Sequence, residues 1–166
     1  MDAISLLTQD HREVSKLFEA FEEEDADKAE IATQVCRMLT VHAMVEEELF
    51  YPAAREALAD DGDDLLDEAE VEHASAKELI AQIEADGQDD DLFEAKVKVL
   101  GEYIRHHVAE EEGELFPKVK KADIDLEALG TELEDRKAAL LSAFDGSTPP
   151  KTPVKAKAKS KPSHAR

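Results

Sequence analysis

HAMVEEELFYP (residues 42–52) and HVAEEEGELFP (residues 107–117) are two copies of one eleven-residue frame. Each opens on a histidine, His42 or His107, and sets a glutamate four residues on, Glu46 or Glu111. A second acid follows at once, Glu47 or Glu112, and each copy closes on proline. Four residues make one helical turn plus about 40°, so the histidine and the glutamate share a helix face. A nitrogen donor beside an oxygen donor, supplied twice, is the donor set of a two-metal site between helices.

Outward from these frames, apolar spacing predicts four long helices and a shorter fifth. Leu7, His11, Val14, Phe18 and Phe21 alternate at four and three residues, the mark of a buried seam over roughly residues 3–24. The second helix covers roughly 27–58, with Ile31, Val35, Met38, His42, Val45 and Leu49 in the same rhythm. The third covers roughly 63–86 (Leu66, Ala69, His73, Ala76, Ile80, Ile83) and the fourth roughly 91–121 (Phe93, Val97, Leu100, Ile104, His107, Glu111). A fifth, at about 125–144, should pack across the others or mediate association. The breaks are short and rich in Asp and Gly, so neighbouring helices should run antiparallel. The expected fold is all-α, an up-down four-helix bundle.

In each of the four seams a histidine stands where an apolar residue belongs. At ~1.5 Å per residue, His11 and His42 lie roughly 20 Å from the turn joining their helices, and His73 and His107 reach a similar depth. Burying ionisable groups without partners costs several kcal/mol each, in a fold with perhaps 5–15 in total. A metal resolves the conflict by taking neutral imidazoles and ionised carboxylates together. His107 continues the fourth seam, whereas His106 lies about 100° away, beside Glu102 and Glu110, as an outer or surface group. Other templates fit worse. No His-Glu-x-x-His occurs, a single Glu-x-x-His pair (Glu70 with His73) falls short of the ferritin-like pattern, and the acidic breaks lack the calcium-loop register.

The net charge of −21 conceals an asymmetry. Residues 147–166 hold five Lys, one Arg and no acid, which leaves about −27 on the first 146 residues. Such a body repels nucleic acid and anionic membrane and favours cations. The tail, rich in Pro, Lys, Ala and Ser, has nothing to bury and is expected to be disordered, with phosphate or acidic-partner contact as its alternative role. No apolar run of membrane-spanning length occurs, a secretory signal is not expected from the N-terminal pattern, and the single Cys36 sits in an apolar rhythm as an inert small hydrophobe. A reducing cytoplasm is the expected compartment.

DHREVSKLFEAF around His11, HAMVEEELFYP, VEHASAKEL around His73 and YIRHHVAEEEGELFPKV together resemble the hemerythrin-like, or HHE cation-binding, family over about residues 5–120. The resemblance implies two iron ions inside a four-helix bundle, bridged by carboxylates and an oxo or hydroxo group. His11, His42, His73 and His107 would be terminal ligands, and Glu46 and Glu111 would bridge. Oxygen-carrying members have a second histidine one turn after the third-helix ligand; here that residue is Lys77. The site then keeps an open position or recruits another oxygen donor, with Tyr103 and Glu70 as candidates.

Three functions follow. The first is a di-iron protein that engages dioxygen, peroxide or nitric oxide by binding, sensing or oxidative-stress response. The second is a di-iron enzyme with catalase-like, peroxidase-like or iron-handling turnover. The third is a non-catalytic helical adaptor with a nucleic-acid-contacting tail. The sequence is compatible with a monomer or a homodimer.

Overall fold

A computed structural model describes residues 1–145; the basic tail and its boundary at residue 146 lie outside the described residues. All regular structure described is helical. Helix α1 spans Ala3–Phe21, α2 Lys28–Val45, α3 Tyr51–Leu58, α4 Asp63–Asp86, α5 Phe93–Glu110, α6 Phe116–Lys121 and α7 Leu126–Asp145. Acidic caps start several of them: Asp2 accepts from the Ser5 N–H, Asp27 from Glu30 and Asp125 from Ala128.

The expected second and fourth helices are each interrupted. A single wide turn, Glu46–Phe50, joins α2 to α3, and another, Glu111–Leu115, joins α5 to α6. In each, the backbone bond runs five residues back, from Tyr51 N–H to the Glu46 carbonyl and from Phe116 N–H to the Glu111 carbonyl. The closing prolines account for this. Pro52 and Pro117 have no N–H, and their rings would strike the carbonyl four residues earlier in a regular α-helix. Widening the turn relieves that clash, and each proline then occupies the first turn of the next helix, where it is tolerated.

Helix α1 packs on α2, α2 on α4, α4 on α5, and α5 back on α1, closing a ring of four. Two apolar clusters fill its interior. One includes Leu7, Val45, Phe50, Ala69, Leu115 and Phe116; the other includes Val14, Phe18, Leu39, Ala76, Ile80 and Leu100. Each ring helix, α5 together with the wide turn that follows it, crosses from one cluster to the other through its histidine: Leu7–His11–Val14, Leu39–His42–Val45, Ala69–His73–Ala76 and Leu100–His107–Leu115. Successive helices make the crossing in opposite order. Four polar side chains thus share one level between two dry layers.

Helix α7 lies against α1 and α2, burying Leu129, Leu133 and Leu140. Gly130 permits this approach, because a Cβ there would collide with the Met1 carbonyl. Cys36 is buried in the second cluster, where burial and the Glu84 charge push its thiol up to about 12. No described helix is long and apolar enough to cross a membrane.

Candidate metal centre

His11, His42, Glu46, His73, His107 and Glu111 are all buried at the level between the two clusters. Their ligating atoms form two groups that share Glu46. His11, His42, Glu46 and Glu111 make one; Glu46, His73 and His107 make the other. Glu46 divides its oxygens, with Oε1 2.8 Å from His42 Nε2 and Oε2 3.0 Å from His73 Nε2. Glu111 does the same, with Oε2 3.1 Å from His11 Nε2 and Oε1 3.3 Å from His107 Nε2. Each carboxylate therefore spans the two groups.

Every inward Nε2 has an outward counterpart. Nδ1 of His42 lies 3.2 Å from Asp10, that of His73 3.1 Å from Glu47, that of His107 3.0 Å from Glu72, and that of His11 3.5 Å from Glu112. A carboxylate on Nδ1–H fixes the ring and its tautomer and leaves the Nε2 lone pair for a cation. Three of these acids are held in turn. Lys137 of α7 bonds Asp10 at 2.5 Å, Lys77 bonds Glu47 at 2.6 Å, and Glu72 also faces His106. Lys77 thus serves the periphery, not the centre.

The oxygen donor at the centre is Tyr51. Its hydroxyl lies 2.5 Å from Glu111, 3.0 Å from Glu46, 3.1 Å from His73 Nε2 and 3.3 Å from His107 Nε2. Glu70 belongs to neither group, and Tyr103, 45% exposed, stands on the wall of the cavity beside the histidines. In a regular helix residue 51 would stand about 140° from residue 46. The wide turn brings it back over Glu46, so the proline that closes the frame was the available signal.

Electrostatics show a centre held by protons. Burial alone would lower the His42 imidazole, but the Glu46 carboxylate and the Asp10 bond override it and raise it to about 10. His107 likewise resists burial and rises to about 10 through Glu111, Glu46 and Glu72. Burial and the Glu46 charge push Glu111 up, yet His107 and His11 bring it down to about 2. Burial and the Glu111 and Glu46 carboxylates hold the Tyr51 phenol well above its usual range.

Whether a metal pair fits is decided by the atoms left over. His42 Nε2 with Glu46 Oε1 and His11 Nε2 with Glu111 Oε2 are close, buried pairs, yet none of the four atoms makes a well-directed hydrogen bond, and all lie within 4.8 Å of one another. On the other side, His73 Nε2 and His107 Nε2 face each other at 3.1 Å and can share only one proton. Orphaned buried polar atoms are costly. A cation on each side satisfies every one of them.

A helical fold whose level of imidazoles is cross-linked by two carboxylates is that of a cation-binding bundle protein. The hemerythrin HHE cation-binding domain matches residues 2–119, and the chain belongs to that family. A hemerythrin HHE cation-binding domain-containing protein from Mycobacterium kansasii superposes with a TM-score of 0.69. The match covers 89% of this chain and 94% of that one at 21% identity, a likeness of fold. A protein of Nostoc sp. named a DNA nickase is 29% identical over 151 residues. The alignment takes in 88% of this chain but only 42% of that relative's length.

Proposed function

We propose that this protein is a non-haem di-iron protein whose centre engages a small ligand of the dioxygen, peroxide or nitric oxide class. One observation carries the reading: Glu46 and Glu111 each send their two oxygens to different imidazole groups, as bridging carboxylates must. His11 and His42 would hold one ion, and His73, His107 and Tyr51 the other. Imidazole, carboxylate and phenolate without thiolate is a donor set suited to iron. The closed ring, crossed in alternating order, supports an up-down four-helix bundle over the first 146 residues.

Two ferrous ions held there would supply one electron each to a bound small molecule. The chain provides the rest. Asp10, Glu47, Glu72 and Glu112 orient the imidazoles, and in the metal-free chain the phenol of Tyr51 holds a proton between Glu46 and Glu111, which it would give up on binding iron. A cavity of about 200 Å³ reaches all four ligand histidines, with Val14, Leu39, Ala76, Ile80 and Ile104 among its walls. That volume admits a diatomic molecule or a peroxide with room to spare, since a cavity of ~150 Å³ already holds benzene, so the bridging donors and not the cavity's size carry the reading. Its apolar walls limit water around the reacting groups.

Metal analysis with an optical spectrum tests the proposal. The full chain should take up about two irons and show a visible phenolate-to-iron band that Tyr51→Phe removes. A chain that takes up no iron, and whose melting temperature is unmoved by chelation, overturns it. The same cavity favours peroxide turnover as a second reading, marked by sustained oxygen release that His107→Ala abolishes. Strand cleavage, the activity in the Nostoc relative's name, fits poorly with a body carrying about −27 charges.

A further inference from the structure

Beside the buried frame lies a second chelate shifted by one residue. His107 and Glu111 point inward; His106 and Glu110, also four residues apart, point outward from α5. His106 Nε2 is 3.2 Å from Glu110 Oε1 and 3.4 Å from Glu72 Oε2 across on α4. One atom from each of the three residues fits within 4.8 Å of the others. A surface hollow of about 400 Å³ surrounds them, with Asp67 and Glu68 adding negative charge.

Glu72 belongs to both sites. Its Oε2 faces His106, while its Oε1 takes the Nδ1–H of the buried His107 at 3.0 Å. Behind it, a narrow gap of about 10 Å³ between α4 and α5 is lined by Glu72, His107, Glu110 and Glu111. The hollow and the gap share Glu72 and Glu110 as walls, so these two carboxylates stand between the surface and Glu111.

We propose that Glu72, His106 and Glu110 form a third, surface site for a divalent metal ion, which captures ferrous iron and passes it to the buried centre. Three donors from two helices, with the remaining positions open to water, make a weak site whose ion can leave inward. The hollow's charge raises the local cation concentration. The capture step rests on the two-iron reading; the surface site does not.

Titration of the full metal-free chain with ferrous iron under anaerobic conditions tests both, comparing wild type with the His106→Ala/Glu110→Gln double variant. These side chains lie outside the buried groups, and equal far-ultraviolet circular dichroism checks the fold. Wild type should bind two ions tightly and a third weakly. The double variant should lose the third and fill the buried pair about tenfold more slowly, because two of the three capturing donors are gone and the hollow's charge is reduced. Three ions in both proteins, or two in both with equal filling rates, overturns the surface site while leaving the buried pair standing. A single weak ion that disappears in the double variant sustains the surface site and overturns the buried pair.

Discussion

The two frames share a backbone and differ in one functional atom. Both carry histidine, glutamate, a wide turn and a closing proline, and both send a second acid to an imidazole of a neighbouring helix: Glu47 to His73 and Glu112 to His11. At the position before the proline they part. Tyr51 puts a hydroxyl among His73, His107 and both bridging carboxylates. Phe116 stacks its ring on His11, with centroids 5.8 Å apart and planes 3° from parallel. One side of the centre thus gains a fifth donor residue, and the other keeps four. The asymmetry defines the more open side, the one held by His11 and His42.

The largest effect should come from what the two sides share. Glu46 is fully buried and meets His42, His73 and Tyr51. Glu46→Gln should abolish tight binding at both positions, read as iron per chain after desalting. It should also cost the metal-free fold about 3 kcal/mol in urea denaturation, since buried imidazoles lose their counter-charge. Retention of two tight ions would show that Glu111 alone can bridge.

Next come the single imidazoles, where the comparison is sharpest. His11→Ala leaves its side with His42, Glu46 and Glu111, and should drop the chain to about one ion. His73→Ala leaves His107, Tyr51 and both carboxylates, and should keep two ions with one held roughly 10–100-fold more weakly. Equal loss in the two variants would break the idea that Tyr51 makes the sides unequal. Tyr51→Phe turns the first frame into the second. It should keep two ions, lose the visible phenolate band and bring the two sides closer in affinity.

Much of this centre was legible because burial and helical spacing are local properties. Each histidine proposed as a ligand interrupts an apolar seam, and each glutamate proposed as a bridge lies one turn from a histidine. Tyr51 was hidden, since α-helical counting turns it away from Glu46 and only the prolines betray the wide turn. The outer acids were hidden for a different reason. Asp10 and Glu72 directly precede His11 and His73, so periodicity assigns them to a solvent face. In the folded chain that face meets the next helix, and each acid serves the neighbour's histidine. Pairing between helices has no period to read.

The protons at the centre give a smaller, pH-dependent effect. His42 and His107 rise from an ordinary 6.5 to about 10, so their pairing stabilises the metal-free fold fully below pH 6.5 and is lost as pH climbs toward 10. Glu111 runs the other way: its contribution is complete above pH 4.5 and lost as pH falls toward 2. Cations bound there would replace the imidazole protons, so the metal-loaded protein should lack the alkaline loss. Melting temperatures of both forms at pH 6.5 and 9.5 check this. Loading near pH 7 should release about two protons or more per chain, read by an indicator dye in weak buffer. No release would mean that the metal-free imidazoles are already neutral.

The smallest effects should come from the outer acids, and they should differ between the sides of each imidazole pair. Asp10 is buried, 3.2 Å from His42, and anchored by Lys137 of α7, a helix beyond the residues the family domain covers. Glu112 is more exposed and reaches His11 only at 3.5 Å. Asp10→Asn should therefore weaken iron about tenfold in competition with a chelator. Glu112→Gln should change it by less than about threefold, because a long, hydrated bond orients its ring weakly. Lys137→Met should reproduce part of the Asp10 effect if α7 acts through that carboxylate. An Asp10→Asn effect no larger than that of Glu112→Gln would mean that packing against Phe116 and its neighbours, not the outer carboxylates, aims the imidazoles.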